Sequence, residues 1–175
     1  AFETAERSLG RLDVVIHASF EPEVLDGCPL VEVDDTAWDD GCEHVIRSAI
    51  YVSQAAHSVM RDRGGQIIFI TPTLALSGGR DRVPFLAGAA GVRRLAISAA
   101  RQWGSIGITV NCVAPDIDQL SSRAADTPRT FGPPVLGDSH DVRSDLGPVV
   151  AMLSSNAARF VTGETIKVDG GSWFA

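Results

Sequence analysis

The side chains best able to do chemistry cluster around one stretch, Ile67 to Gly91, IIFITPTLALSGGRDRVPFLAGAAG. A short apolar run, Ile67–Ile70, ends in Thr71-Pro72-Thr73, a Gly-rich loop follows, and then a helix of small residues. Either threonine hydroxyl could bind a substrate oxygen, but neither titrates near pH 7. Acid–base work would then fall to His17, His44, Asp116 or Asp118. His17 is the best placed of these, because it ends an apolar run and open α/β sheets bind ligands beyond the C-termini of their strands. The simpler reading of His17 is a ring that fills a polar position. A metal centre is not expected. Cys28, Cys42 and Cys112 have no CxxC spacing, and His17, His44, His57 and His140 form no HxxxH or HExxH pair.

These residues need a scaffold, and the totals bound it. A chain of 175 residues is one domain, or part of a larger one. Its 15 basic and 22 acidic side chains leave a net charge of −7, which argues against a nucleic-acid partner. No uninterrupted apolar run approaches the ~20 residues that span a bilayer, and no signal peptide is visible. Three cysteines, an odd number, suit a reducing compartment, so a cytoplasmic location without membrane association is expected. The chain opens AFETAERSLG, which reads as the last turns of a helix, so an upstream portion is expected.

Leu12–Ala18 is short and β-branched, as suits a strand buried on both faces of a parallel sheet. Glu21 to Glu43 gathers acids without a Lys or Arg, which reads first as a solvated rim and second as a docking surface. Asp35 or Thr36 can cap a long helix running to about Asp62, with Asp39 completing a weak capping box. Trp38, Cys42, Val45, Ile46, Ala49, Val52, Ala56 and Met60 recur on one face of it. Gln66–Ile70, Gly107–Ala114 and Thr165–Val168 read as further strands, with helices over Phe85–Trp103 and from Leu146. Residues 116–146 are long and polar, with Pro128, Pro133 and Pro134, and read as a lid or substrate loop. Alternating strands and helices predict an α/β, doubly wound parallel sheet.

At this point the chain resembles the short-chain dehydrogenase/reductase family over essentially its whole length. Gly10-Arg-Leu-Asp-Val-Val-Ile is similar to the family's GRLDVLV strand, and Trp38-Asp39 stands where the long helix carries its usual Trp-Asp. Gly65-Gln-Ile-Ile-Phe-Ile resembles GRIVNI, and Gly107-Ile-Thr-Val-Asn-Cys-Val-Ala-Pro resembles the GI-VN-V-PG segment. Phe160-Val-Thr-Gly-Glu-Thr-Ile-Lys-Val-Asp-Gly-Gly resembles the closing Y-TG-----DGG. The resemblance implies a single Rossmann-like domain over residues 1–175, incomplete at its N-terminus, whose strands correspond to family strands 4 to 7. No Gly-rich phosphate turn occurs here. The resemblance therefore implies no cofactor held by this chain alone, with NAD or NADP possible if an upstream part carries that turn.

The family's chemistry needs a Tyr, a Lys, a Ser and an Asn. The resemblance carries these onto Phe85, Ala89, Pro72 and Val45 in turn, and each is the wrong type. With one tyrosine, Tyr51, and one lysine, Lys167, no Y-x-x-x-K can be drawn in any register. On the cofactor side the family's NNAG falls on His17-Ala18-Ser19-Phe20, and its Pro-Gly on Pro115-Asp116. A phenylalanine in place of that glycine puts a ring where a ligand must come close.

Two readings follow. In the first, the chain is a non-catalytic subunit that pairs, as in some heteromeric family members acting on acyl-CoA-type hydroxy or keto substrates, with an active family subunit. The pairing surfaces would be helices 35–62 and 85–103 and the C-terminal tail. In the second, the chain is an NAD(P)-dependent oxidoreductase or lyase with atypical site residues, His17, Thr71 and Thr73 among them. A small-molecule sensor using the emptied pocket is a third.

Overall fold

The computed structural model describes residues 2–120, 130–137 and 141–174. Pro128, His140 and the middle of the 116–146 segment lie outside the described residues. Four parallel strands form one sheet in the order β1 (Val14–His17), β2 (Gly65–Ile70), β3 (Ile108–Pro115), β4 (Thr165–Val168). The register runs His17 to Phe69 to Cys112 to Thr165, and β3 and β4 continue together to Pro115 and Val168, beyond the ends of β1 and β2.

Alternation along the strands feeds two cores. Ile67, Phe69, Val110 and Cys112 face one cluster, which includes Ala49 and Met60 of α3 (His44–Met60) and Val92 and Ala96 of α5 (Val83–Trp103). Ile68 and Val113 face the other, with Leu146 and Leu153 from the helix Val142–Leu153. Helices on both faces make the sheet doubly wound, as the sequence predicts.

The long first crossover differs from expectation in its detail. It is three segments: α2 (Asp35–Trp38), a π-helical stretch Asp39–Glu43, and α3. The cap is Asp34, whose side chain accepts from the Ala37 amide at 2.8 Å, and not Asp35 or Thr36. The π stretch lies where α5 presses closest. A Cβ on Gly41 would stand 2.6 Å from Pro84 Cβ, and one on Gly88 would stand 3.0 Å from the carbonyl oxygens of both Gly41 and Cys42. Only glycines allow that approach.

β1 is the edge of the described sheet, so Ile16 is 51% exposed. Three other expectations need correction. The helix expected from Leu146 starts a turn earlier, at Val142, because Asp141 accepts from the Arg143 amide and caps it. The 116–146 segment is not wholly irregular: it begins with a helical turn, Ile117–Leu120, labelled α6 after the turn α4 (Leu74–Ser77), and it ends in α7 (Val142–Leu153). The helix expected from Phe85 begins at Val83. Val83–Ile106 is by length and composition apolar enough to cross a membrane; here it packs against β3 and α3.

Candidate functional site

The site is built on the C-terminal ends of β1, β2 and β3 and the first turns of α5. Phe85, in the first turn of α5, is 2% exposed. The ring of Phe20, delivered by the loop after β1, lies against it with centroids 5.4 Å apart and planes tilted by 56°. The two rings fill each other's space. Val45 is buried in the same apolar cluster, and Ala89 is buried one turn beyond Phe85. Pro72 is buried just beyond the end of β2. None of these four side chains can donate, accept or hold a proton.

The alternative acid–base candidates are engaged elsewhere. His17 is 7% exposed, its Nε2 lies 3.1 Å from Ser48 Oγ, and its ring leans on Phe69. Burial lowers its pKa, which keeps the imidazole neutral at pH 7. Ser48 in turn donates to the Val45 carbonyl, so His17 is tied to α3. His44 pairs with Asp40 at 3.1 Å on the surface.

The two threonines divide. Thr73 Oγ1 is within 3.0 Å of the carbonyls of Ala114 and Pro115, so it fastens the ends of β2 and β3 together. Thr71 Oγ1 is buried, and its polar neighbour is the Cys112 thiol. Burial pushes Cys112 up to about 11, with Arg93, Thr165 and Thr71 opposing, so it is a protonated thiol and no nucleophile at pH 7. Arg93 Nε donates to Thr165 Oγ1 at 3.2 Å, which ties α5 to β4.

Two features were not read from the sequence. Arg82, just before α5, is 4% exposed and donates from Nε to the Leu25 carbonyl at 3.1 Å, with Asp118, Asp81 and Asp26 facing its charge. It binds the Phe20-bearing loop to the start of α5. Asp169 was read only as part of a tail motif. It is 6% exposed and folds back so that Oδ1 accepts from the Gly171 amide at 3.0 Å. The Asp-Gly-Gly pattern was the available signal for such a turn. Asp116 is half-buried and accepts from the Asp118 amide at 3.1 Å. Among the described residues, no three His, Cys, Asp or Glu side chains are grouped to hold a metal ion.

Beside Phe20 a cavity of about 500 Å³ is lined by Ser19, Val24, His44, Val45 and Ser48. Its size would admit a ligand.

Comparison with known proteins fits this architecture. A family model described as Enoyl-(Acyl carrier protein) reductase matches residues 1–172. The chain is 31% identical over 172 residues to a 3-oxoacyl-(acyl-carrier-protein) reductase of Staphylococcus aureus, covering 94% of this chain and 67% of that protein. It is 32% identical over 182 residues to 2-dehydro-3-deoxy-D-gluconate 5-dehydrogenase of Escherichia coli K12, covering 99% of this chain and 70% of that one. A crystal structure of a short chain dehydrogenase from Mycobacterium smegmatis superposes with a TM-score of 0.78 at 22% identity, over 96% of this chain and 62% of that chain. The chain thus spans about two thirds of the length of these relatives.

Proposed function

The chain belongs to the short-chain dehydrogenase/reductase family, and from that premise we propose that it is a non-catalytic member, a subunit that assembles with and supports an active short-chain dehydrogenase. The observation that carries this reading is the Phe20–Phe85 contact, two apolar rings packed together at positions where the resemblance implies a proton donor and a glycine beside the cofactor. Chemistry lost at one position could be rescued nearby, but His17 is neutral and tied to Ser48, and Thr73 is tied to β3.

Apolar surface on the two long helices and the tail is consistent with assembly. Ile50, Leu95 and Trp103 line a shallow apolar groove between α3 and α5, and Tyr51 stands exposed beside it. Phe174 in the tail is 72% exposed. The active partner's substrate is of the acyl-thioester hydroxy or keto class, as the name of the Staphylococcus relative suggests. The setting is cytoplasmic.

The reading is tested by expressing the full-length protein alone and with a family member that carries an intact Tyr and Lys. A mixed assembly is expected, with no NAD(H) or NADP(H) turnover by this chain alone. A homogeneous assembly that oxidises or reduces a substrate would overturn it in favour of an oxidoreductase with an atypical site. The mutation of His17 and Asp116 would then locate its acid and base.

A further inference from the structure

The C-terminal tail doubles back on residues 131–137. After β4 the chain turns at Gly170 and Gly171, with φ of +62° and +78°, a region that favours glycine. The turn lies directly against the segment. A Cβ on Gly170 would stand 2.9 Å from Pro134 Cβ, and one on Gly171 would stand 2.6 Å from Val135 Cγ2. The Leu136 amide donates to the Gly170 carbonyl at 3.0 Å. Beyond the turn Trp173 stacks on Phe131, with centroids 6.2 Å apart and planes inclined by 27°.

Lys167 holds the end of this tail. Its Nζ donates to the Trp173 carbonyl at 3.1 Å and lies 4.7 Å from the centroid of the Trp173 ring. One ammonium thus fixes both the backbone and the ring of the same residue. It belongs to the only lysine in the chain, and among the described residues no carboxylate pairs with it. The segment under the tail has little else to hold it. Val135 and Leu136 are 69% and 86% exposed, and within 131–137 only Phe131 and Pro134 are half-buried. Segments that bury so little open at low free energy, so a single fastening governs how often they do.

We infer that residues 169–174 are a strap latched by the charge of Lys167, and that unlatching it frees residues 131–137. A cation is drawn to the face of an indole ring and donates strongly to a carbonyl, and a neutral side chain of the same length does neither. Removing one exposed charge therefore releases the strap, whereas a tail held by packing alone would not respond. The strap also sets access to a cavity of about 270 Å³. Pro134, Leu136 and Gly137 of the segment line it together with Val168, Asp169 and Gly170 of the strand end and turn. The inference does not depend on whether the chain turns over a substrate.

The test is hydrogen exchange of the full-length protein at pH 7, followed at the Leu136 amide. Lys167→Met keeps the stem and removes the charge, and should speed exchange there by about fivefold or more. Lys167→Arg keeps a cation with N–H donors and should stay within about twofold of the wild type. Trp173→Leu removes the ring and should also speed exchange severalfold, which tests the latch without touching the lysine. In all three, the amides of Ile68 and Val110 in the central strands should keep their wild-type rates. Unchanged exchange at Leu136 in Lys167→Met or Trp173→Leu would overturn the inference. So would an arginine variant as fast as the methionine one, or acceleration spread equally to Ile68 and Val110.

Discussion

Phe20 and Phe85 meet ring to ring at 5.4 Å, although one ends the turn after β1 and the other opens α5. The contact is part of the core and not only a blockage, since Phe85 is 2% exposed. Phe85→Ala is therefore expected to cost about 3–5 kcal/mol in a denaturant titration. Phe85→Tyr, the change toward the family residue, should also destabilise, by about 1–3 kcal/mol, because its hydroxyl would be buried against an aromatic ring. A stabilised tyrosine variant would show that the site still keeps room for a phenol.

The closest approach of the two long helices rests on Gly41 and Gly88. An alanine at 88 gains about 1 kcal/mol of helix propensity. Its methyl, however, meets two backbone oxygens at 3.0 Å, and backbone cannot step aside as a side chain can. A net loss of stability of about 1–2 kcal/mol is expected for Gly88→Ala. Gly104→Ala, where the methyl meets open space, is the matched control, and urea midpoints of the two variants settle the comparison.

Cys112 makes stability fall at high pH. Its folded-state pKa is raised from 9.0 to about 11, so between these values the folded chain holds a proton that the unfolded chain has released. The contribution is complete below pH 9 and is lost as pH rises through about 11, at a total of about 3 kcal/mol. Urea midpoints of the wild type should drop more steeply over that window than those of Cys112→Ala.

His17 gives the opposite sign. Burial lowers its pKa below 6.5, so its contribution is present above that value and declines as the pH falls through the folded pKa. The imidazole proton resonances followed by NMR should titrate with a midpoint below 6.5. A midpoint above 6.5 would mean that a neighbouring anion, and not burial, governs the ring.

Asp34→Ala should cost about 1 kcal/mol through loss of the cap on α2, whereas Thr36→Ala should fall within about 0.5 kcal/mol of the wild type. Thermal melts of the two variants discriminate between Asp34 and the cap expected from the sequence.

Much of this was legible in the sequence for a plain reason: strands and helices announce themselves through spacing. Gly65–Ile70 and Thr165–Val168 fall within a residue of their expected bounds. Val45, Pro72, Phe85 and Ala89 could be singled out only through the resemblance, whose motif blocks set the register around them. Contacts across the fold were not. Nothing in the loop after β1 says that Phe20 turns back onto Phe85, or that Arg82 ties Leu25 to α5. The π stretch was hidden because its cause, the approach of Pro84 and Gly88, lies on another helix. The cap shifted by one residue because Asp34, Asp35 and Thr36 are all competent caps, and only backbone geometry chooses among them.

The six residues of β2 send alternate side chains into two separate cores, Ile67 and Phe69 to one and Ile68 to the other. The strand therefore has a reading frame. Losing or gaining one residue between Gly65 and Ile70 would exchange the occupants of both cores at once, while any single substitution disturbs one of them. In a library of one-residue deletions and insertions, this segment should be the least forgiving of length change. The stretch 29–34, which buries no side chain, should accept it.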